Sequence, residues 1–533
     1  MSNFRRPLQD AFLLLEAIFD KPFGPEWNPF RQMGTLAFFF FWVAAVSGIY
    51  IYILFDTSVA EAYQSIEYMT YEQWYLGGIM RSLHRYASDA MVVTAALHMS
   101  REFIFDRYRD VRWFTWFTGV PILWFLYTSG ISGYWLVWDQ LAQYVAIGSM
   151  EWLDWLGIFG EPVANNFLTR GSLTDRFFTL LIFMHIFAPL ILLFIMWIHV
   201  MRVAQPKINP PRGLALGSLL MLVVLALVKP AVSHAPADLG TTPTDLNLDW
   251  YYMLFYPVFD KLGPGALWGL AIGISFLIAS LPWLPPLRRP KAAMVTLDQC
   301  NGCTRCFNDC PFGAVTMQPR TDGRPYEQEA IVNPKLCTSC GICVGACPTS
   351  TPFRHSDMLV TGIDLPDFPL AKVRAKFNKA IESARQAEGP SILIVGCDHG
   401  VDTRSHESAG VASAKLPCIG MLPPSFIDYA LGRDGADGMI VTGCRDCDCF
   451  SRLGIRWTED RLAGARDPYL RKRVPRERLK VQWAGRTDGV TLDQAIEAFR
   501  GELTALDEAE AAAKETGGTS LAGETTPAAG GAE

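Results

Sequence analysis

Four of the 8 histidines in this chain form two pairs with the same spacing in apolar sequence. His84 and His98 lie fourteen positions apart, and His185 and His199 repeat that interval. In an α-helix, fourteen residues fall about 40° short of four turns, so both histidines of a pair share one face, about 21 Å apart. Two such helices side by side would offer two facing imidazole pairs. Because neutral imidazole binds haem iron well, the pattern predicts two haems, each held from both axial sides.

Glycines repeat this interval in two other apolar segments, as Gly34 with Gly48 and Gly119 with Gly133. A flat macrocycle between helices needs a close backbone approach, and glycine permits it. Ordinary helix packing would explain the glycines alone, and buried polar residues of a bundle would explain the histidines alone. The same period in four segments favours the haem interpretation.

Two arginines accompany the first histidine pair in the sequence. Arg81 and Arg101 each lie three residues from a histidine of that pair, and guanidinium groups bind carboxylates well. We therefore expect both to contact haem propionates. The alternative is that they anchor the helix at a membrane interface.

The cysteines indicate a second kind of metal chemistry. All 13 lie between positions 300 and 449, and the stretches CNGCTRCFNDCP (300–311) and CTSCGICVGACP (337–348) both fit C-x2-C-x2-C-x3-C-P. This tandem spacing is typical of two 4Fe–4S clusters, in which the fourth cysteine of each run serves the other cluster. Structural zinc is disfavoured by the third cysteine and the proline. The predicted ligand sets are Cys300, Cys303, Cys306 and Cys347 for one cluster, and Cys337, Cys340, Cys343 and Cys310 for the other.

The apolar segments that carry the histidines are long enough to cross a membrane. Runs of about 20 apolar residues span a bilayer, and six segments approach this length. Basic residues concentrate before the first segment and after the second and fourth, and also at Leu287-Arg288-Arg289, so the amino terminus and the cysteines are expected in the cytoplasm. That side is reducing, which agrees with free thiols. The amino terminus has no removable signal peptide pattern. The predicted spans are about 34–55, 78–103, 113–136, 177–202, 213–229 and 265–284.

The predicted fold class is multidomain: an all-α transmembrane di-haem bundle of six spans, an α+β ferredoxin-like domain and a small α/β iron–sulfur domain. In the last domain, SILIVG and GMIVTG read as strands. The net charge of −6 argues against a nucleic-acid surface. The expected divisions are 1–212 for the di-haem bundle, 213–290 for two further helices, 291–353 for the ferredoxin-like domain, 354–388 for a connector, 389–505 for the α/β domain and 506–533 for an acidic tail that ends disordered.

The histidine and glycine ladder resembles cytochrome b of the quinol-oxidising bc and b-f complexes. Further matching pieces are LHR at 83–85, LHMSR at 97–101, SGYWLVWDQ at 132–140 and RFFTLLIFMHIFAP at 176–189. The resemblance implies two b haems, one held by His84 with His185 nearer the outer face and one by His98 with His199 nearer the cytoplasm. It also makes a homodimer in the membrane lipid plausible.

Residues 235–257 resemble the segment of that family that carries a Pro-Glu-Trp-Tyr motif at the outer quinol site. Here the motif reads Leu248-Asp249-Trp250-Tyr251, so a shorter carboxylate replaces the glutamate. The resemblance implies that Asp249 and Tyr251 act on a quinone, with Asp249 exchanging a proton. The alternative is that Asp249 caps a helix at an outer loop.

The tandem cysteine motifs resemble bacterial two-cluster ferredoxins, and the last third of the chain is similar to the iron–sulfur delta subunit of methyl-viologen-reducing hydrogenase. The second resemblance rests on LPCIGMLPPSFIDYALGRDGADGMIVTGCRDCDCF. It implies a 2Fe–2S cluster, with zinc as an alternative. Cys447 is an additional candidate, and His399 is expected to be a surface residue. The implied ligands are Cys397, Cys418, Cys444 and Cys449.

Together these resemblances predict a membrane-bound electron-transfer subunit in the inner membrane of a prokaryote. Electrons would pass between a heterodisulfide-reductase-type flavoprotein, or another cytoplasmic dehydrogenase, and membrane quinone. The sequence has no Gly-rich dinucleotide motif, so the two-electron chemistry is assigned to a partner. Alternatives are flow from quinol to a low-potential acceptor, an anchor for a hydrogenase or formate dehydrogenase, and a non-catalytic redox sensor or scaffold.

Overall fold

The structure is a computed structural model that describes residues 5–158, 160–169, 172–285, 290–353, 359–432 and 434–515. The chain divides into two compact units, Met1–Arg289 and Pro290–Glu533. The predicted basic turn at Leu287-Arg288-Arg289 and the predicted disordered end, 516–533, lie outside the described residues.

The first unit is helical, and every one of the six predicted apolar segments forms a helix in it. Those segments correspond to α2, α4, α5, α8, α9 and α11. The helices in chain order are α1 Arg5–Trp27, α2 Met33–Leu54, α3 Ala62–Glu67, α4 Ile79–Ile104, α5 Trp113–Val137, α6 Gln140–Asp154, α7 Val163–Phe167, α8 Asp175–Met201, α9 Arg212–Val228, α10 Tyr256–Leu262 and α11 Pro264–Ser280.

Four helical segments of the described residues are long and apolar enough to cross a membrane. They are Met33–Leu54, Asp110–Val137, Asp175–Met201 and Pro264–Trp283. Helix α9 is shorter, with 17 residues, and α4 is long enough but carries Arg81, Arg85 and Asp89. The six-span arrangement therefore stays a prediction for α4 and α9.

The bundle is built from helix pairs, in which α2 packs against α4 and α5 packs against α8. Large apolar side chains such as Leu126, Phe177 and Phe178 are almost fully buried between the helices. Large apolar side chains on the opposite faces are exposed, for example Phe194 on α8 and Phe276 on α11. An apolar outer surface is what lipid contact favours. The pairing matters for the site because each histidine-bearing helix, α4 or α8, lies against a glycine-bearing one, α2 or α5.

The second unit begins with a small α+β domain of two antiparallel strand pairs and two short helices. Strand β1 pairs with β4, and β2 pairs with β3. The helices each begin within a cysteine motif. The elements are β1 Met294–Val295, α12 Arg305–Asp309, β2 Val315–Pro319, β3 Gln328–Val332, α13 Ile342–Ala346 and β4 Ile363–Asp364.

The second half of this unit contains a four-stranded parallel sheet in the order β6-β5-β7-β8. The two strands predicted from SILIVG and GMIVTG are its buried central strands, β5 and β7. Strands β6 and β8 were not predicted, because Ser413 and Lys415 break the apolar run of β6 and β8 is only 3 residues long. The elements are α14 Leu370–Ala384, β5 Ile392–Cys397, β6 Val411–Leu416, α15 Pro424–Ala430, β7 Gly438–Val441, α16 Gly454–Leu462, β8 Leu479–Val481 and α17 Gly489–Glu515.

Two helices of this domain extend beyond the divisions expected from the sequence. Helix α14, in the segment expected to be a connector, buries Leu370, Val373 and Phe377 in the same core as the sheet. Helix α17 begins well before the expected tail and packs Phe499 and Leu503 against Gly438 of β7. Both helices therefore belong to the α/β domain, because their apolar faces find their burial on its sheet.

Candidate haem and iron–sulfur sites

His84 and His185, the first histidine pair across the bundle, face each other. Their ring centroids are 6.1 Å apart and their planes are inclined by 72°. Metal–imidazole bonds of about 2 Å on each side, plus about 1.2 Å from each nitrogen to its ring centre, give a centroid separation of about 6.4 Å. The observed separation therefore fits one metal atom bound axially by both rings.

Hydrogen bonds orient these two rings. Nδ1 of His84 lies 2.8 Å from the carbonyl oxygen of Ala44, and Nδ1 of His185 lies 3.0 Å from that of Ser129. A carbonyl oxygen can only accept, so Nδ1 of each ring carries the hydrogen. This leaves the lone pair of each Nε2 for a metal, which is how ligating histidines are usually held.

The second pair, His98 and His199, is close enough to interact electrostatically. Nδ1 of His199 lies 3.0 Å from the hydroxyl of Thr118, and the ring also hydrogen-bonds the backbone of Thr115. His98 and His199 are thus neighbours one level away from the facing pair of His84 and His185, and the binding of two haems by these pairs stays a prediction.

The four glycines of the ladder each lie against one of these imidazoles. A Cβ atom on Gly48 or Gly133 would lie 2.9 Å from Cε1 of His84 or His185, respectively. A Cβ on Gly34 would lie 3.2 Å from Cε1 of His98. Gly119 has the widest gap, because its Cβ would be 3.9 Å from Cε1 of His199.

The glycines thus have a role that the sequence interpretation missed. It expected glycine to admit the macrocycle, whereas the structure places the imidazole itself against the glycine. For Gly48, Gly119 and Gly133, the backbone partner of that imidazole, Ala44, Thr115 or Ser129, is the residue four positions earlier. The missing side chain lets the ring approach the helix closely enough to donate to a carbonyl one turn away.

Arg81 and Arg101 both have protein partners. Arg81 is buried, donates to the hydroxyls of Thr70 and Ser233, and lies 3.6 Å from a carboxylate oxygen of Glu67. Arg101 is also buried, and its Nε lies 2.9 Å from the carboxylate of Glu16. Both guanidinium groups are therefore positioned by the protein, and their contact with propionates stays a prediction.

Asp249, the residue expected to act on quinone, is buried in a polar network. One carboxylate oxygen accepts from Tyr134 and lies 3.1 Å from Nη2 of Arg85. The other accepts from the backbone N–H of Tyr251, at 2.7 Å. Arg85 also reaches Asp89, at 3.2 Å from its Nε. Asp249 therefore closes a local turn and does not cap a helix, because the next helix, α10, begins at Tyr256. Its action on a quinone stays a prediction.

This network brings two carboxylates, Asp89 and Asp249, to one guanidinium, Arg85. Arg85 and Asp89 lie one and five residues after His84, and sequence reasoning did not single them out. The only available signal was a charged pair four residues apart in a helix that was expected to cross a membrane, where ionisable residues are costly and usually functional. Tyr251, the other expected residue, is 48% exposed.

The two tandem cysteine motifs surround two separate cavities. The first cavity is lined by all four cysteines assigned to one cluster, and the second by all four assigned to the other. The side chains facing the cavities are otherwise mainly apolar, which suits a buried cluster. The first cavity has Cys300, Cys303, Cys306 and Cys347, and the second has Cys310, Cys337, Cys340 and Cys343.

Left-handed backbone turns direct these cysteines inward. Gly302 and Thr304 in the first motif have φ of +65° and +62°, and Ser339 and Gly341 occupy the equivalent positions in the second, with +55° and +78°. Backbone N–H groups also reach the sulfurs, as that of Ala314 does to Cys310, at 3.2 Å. Burial raises the pKa of the Cys306 thiol to about 12, so a metal that binds there must displace a proton.

The last four candidate cysteines converge at one edge of the parallel sheet. Cys397 ends β5, Cys418 follows β6 by two residues, and Cys444 follows β7 by three. The carboxyl ends of adjacent parallel strands meet at the same edge, so these three thiols are neighbours despite their separation in sequence. Cys449 joins them from the loop before α16. We call this group the third site.

The sulfurs of the third site lie near one another, and those of Cys397 and Cys444 are 3.7 Å apart. The Cys449 thiol interacts with those of both Cys418 and Cys444. Hydrogen bonds from Cys418 and Cys444 lower the pKa of Cys449, whose thiolate is the form that binds iron. A Cβ at Gly454 would lie 2.4 Å from the sulfur of Cys418, so only glycine fits there.

The sequence left two further residues near the third site as possible ligands. Cys447 is exposed, and its role as a ligand stays a prediction. His399 is exposed, and its ring stacks on Phe450 at a centroid distance of 3.6 Å. Within the ranges that the structure describes, no three or more His, Cys, Asp or Glu side chains converge closely enough to hold a single metal ion.

Family models match three segments of the chain. Residues 18–206 match cytochrome b/b6, residues 299–351 match the 4Fe–4S dicluster domain, and residues 391–507 match the delta subunit of methyl-viologen-reducing hydrogenase. These matches confirm the composite resemblance expected from the sequence. They support haem b in the helical domain and 4Fe–4S clusters in the ferredoxin-like domain.

Individual relatives match the helical part of the chain. Cytochrome b of Cyanidium caldarium is 26% identical over 315 residues, which cover 53% of this chain and 79% of that protein. Cytochrome b6 of Porphyra purpurea is 28% identical over 205 residues, covering 37% and 92%, respectively. A solved structure described as hyperthermophilic respiratory Complex III is 21% identical, with a TM-score of 0.40, and covers 48% of this chain and 76% of its own. The likeness to cytochrome b, from the family model and the two sequence relatives, indicates a membrane protein of electron transport.

Proposed function

We propose that this chain carries electrons between a cytoplasmic flavoprotein or dehydrogenase and the membrane quinone pool. The route runs through a 2Fe–2S cluster, two 4Fe–4S clusters and two b haems. The observation that carries the proposal is the facing of His84 and His185 at a separation that fits one axially bound iron, in a chain that also holds two cysteine-lined cavities.

The assignment of a 2Fe–2S cluster to the third site is part of this proposal. It rests on the match of residues 391–507 to the delta subunit of methyl-viologen-reducing hydrogenase and on the meeting of Cys397, Cys418, Cys444 and Cys449 at one edge of the sheet. A zinc ion bound by the same four thiolates is the alternative, and iron and sulfide analysis separates the two.

The network around Asp249 supports a quinone site at the first histidine pair. A quinol must lose protons as well as electrons, and Asp249 with Asp89 provides two carboxylates against one guanidinium, Arg85. A buried group of this composition has capacity for a proton. Asp249 is the proposed proton acceptor, and Arg85 and Tyr134 are the proposed positioning residues.

The partner proposed from the delta-subunit resemblance is a heterodisulfide-reductase-type flavoprotein, because this chain has no dinucleotide motif in its sequence. The proposed location is the cytoplasmic membrane of a prokaryote, with the cysteine-rich unit in the cytoplasm. A homodimer is proposed only by analogy with the cytochrome b family.

Purification of the native complex tests the function. We expect a reducible b-type optical band equivalent to two haems per chain, iron and sulfide for two cubanes and one two-iron cluster, and a co-purifying flavoprotein. In membrane vesicles, quinone addition should reoxidise the haems. Absence of the haem band would refute the proposal for either direction of electron flow. If an uncoupler abolished reduction of the clusters by quinol, flow from quinol to a low-potential acceptor would replace the forward direction.

A further inference from the structure

The two iron–sulfur domains of the second unit are in backbone contact. The turn Ile419–Met421, which follows Cys418 of the third site, packs against α13. A Cβ at Gly345 of α13 would lie only 2.2 Å from the carbonyl oxygen of Gly420. A Cβ at Gly420 would in turn lie 2.9 Å from Cγ1 of Ile342. No side chain therefore separates the two backbones at this junction.

The junction joins the third site to the second cavity. Cys418 and Cys340 belong to one small apolar cluster with Ile342, Leu453 and Trp457. The two thiols also interact electrostatically. By contrast, none of the residues that line the first cavity belongs to this cluster.

The second cavity also adjoins the first cavity, through a different thiol. Cys343 interacts electrostatically with Cys306, which lines the first cavity. The ends of α12 and α13, which carry these thiols, pack against each other. The second cavity therefore adjoins both of the other sites, the third site at Cys340 and the first cavity at Cys343.

A buried ionic cluster holds the junction in place. Asp309, the neighbour of Cys310, lies 2.5 Å from Nη2 of Arg461 and 2.5 Å from Nη2 of Arg466. Arg461 is 1% exposed and also donates to the carbonyl of Gly420, at 2.8 Å. The same guanidinium thus binds next to a cysteine of the second cavity and next to a cysteine of the third site.

We propose that electrons pass through the three sites in a fixed order. The third site exchanges electrons directly with the cluster of the second cavity, and with the cluster of the first cavity only through it. Cys418 and Cys340 are the thiols that lie between the third site and the second cavity. In each transfer one cluster loses an electron and the neighbouring cluster gains it, and no proton or atom moves. The proposal rests on the proposed function only in assuming that the three clusters are present.

The experiment uses the full-length protein and electron paramagnetic resonance. When both clusters are reduced, a paramagnetic neighbour shortens the relaxation time of the two-iron signal and broadens it. We expect this broadening in the wild type, its loss in Cys340→Ser and its retention in the matched variant Cys303→Ser, whose changed thiol lines the first cavity. Iron and sulfide analysis would verify which cluster each variant has lost.

The opposite pattern, with broadening lost in Cys303→Ser and kept in Cys340→Ser, would overturn the proposal. So would a wild type without any broadening. If Cys340→Ser does not accumulate, Cys303→Ser alone decides, because retained broadening supports the order and lost broadening refutes it. Failure of quinone to reoxidise the haems would contradict the proposed function and leave this readout unaffected, since the signals of the clusters do not depend on the haems.

Discussion

Gly133 of α5 lies directly against the imidazole of His185 on α8. A Cβ at this position would be 2.9 Å from Cε1 of the ring, and the ring donates from Nδ1 to the carbonyl of Ser129, one turn earlier on α5. The glycine therefore determines both how close the ring comes and which nitrogen faces the centre of the bundle.

We expect Gly133→Ala to displace His185 and weaken haem binding at the first pair. Overpacking of a tight contact costs about 1–3 kcal/mol. The readout is haem content and the optical band of the purified protein. Gly217→Ala is the matched control, because nothing lies within 4 Å of a Cβ at Gly217 of α9. Equal haem content in the two variants would contradict the role assigned to Gly133.

The second histidine pair should be the entry point for electrons from the cytoplasm. His98→Ala is expected to leave the iron–sulfur signals intact and to block reduction of both haems from the soluble side. His84→Ala should remove one haem and leave the other reducible, because His84 belongs to the first pair. Stopped-flow optical spectroscopy with a cytoplasmic-side reductant measures both. Haem reduction at normal speed in His98→Ala would reject this order.

Cys449 and Cys447 lie only two positions apart, but their substitution should have opposite effects on the two-iron cluster. Cys449 is largely buried and interacts with the thiols of Cys418 and Cys444, whereas Cys447 is exposed. We expect Cys449→Ser to abolish the two-iron signal and Cys447→Ser to keep it. Electron paramagnetic resonance and iron analysis of both variants provide the measurement. A lost signal in Cys447→Ser would add that thiol to the ligands.

Of the two arginines that pair with Asp309, Arg461 should contribute more to the stability of the second unit. Its side chain is 1% exposed, against 24% for Arg466, and Asp309 is equally buried, at 3%. Removing one partner of a buried ion pair costs about 3–5 kcal/mol, whereas a partly exposed pair contributes about 1 kcal/mol or less. Arg461→Ala should therefore lower the unfolding temperature of the second unit further than Arg466→Ala does. Equal shifts in a thermal unfolding experiment would contradict this difference.

Asp249 should affect quinone chemistry and leave cofactor binding unchanged. We expect Asp249→Asn to slow haem reduction by quinol about 10²–10⁴-fold, the usual contribution of a positioned proton acceptor. The haem bands should keep their intensity, since the asparagine can still accept from Tyr134. Asp260→Asn is the control, because Asp260 also accepts a hydrogen bond from a tyrosine, Tyr144 at 2.6 Å, but does so in an exposed position. An unchanged quinol rate in Asp249→Asn would remove Asp249 from the proposed site.

The positions of the candidate ligands could be predicted from the sequence where one short stretch contains all the residues of a motif. Helix geometry alone predicts that His84 and His98 share one helix face and that His185 and His199 share another. All six predicted apolar segments are helical. The tandem cysteine runs divide between two cavities as their spacing predicts. In each case, local backbone geometry places the side chains, so the order of residues is sufficient.

Contacts between distant segments depended on the tertiary structure. Cys397, Cys418 and Cys444 meet because β5, β6 and β7 are adjacent parallel strands. A family resemblance grouped these cysteines in the sequence, but no local spacing predicts the order of the strands. The partnership of Asp249 with Arg85 joins residues 164 positions apart, and the contact of Gly345 with Gly420 joins two domains. Such contacts depend on how apolar surfaces are buried against each other, which is a property of the whole packed chain and not of any one segment of it.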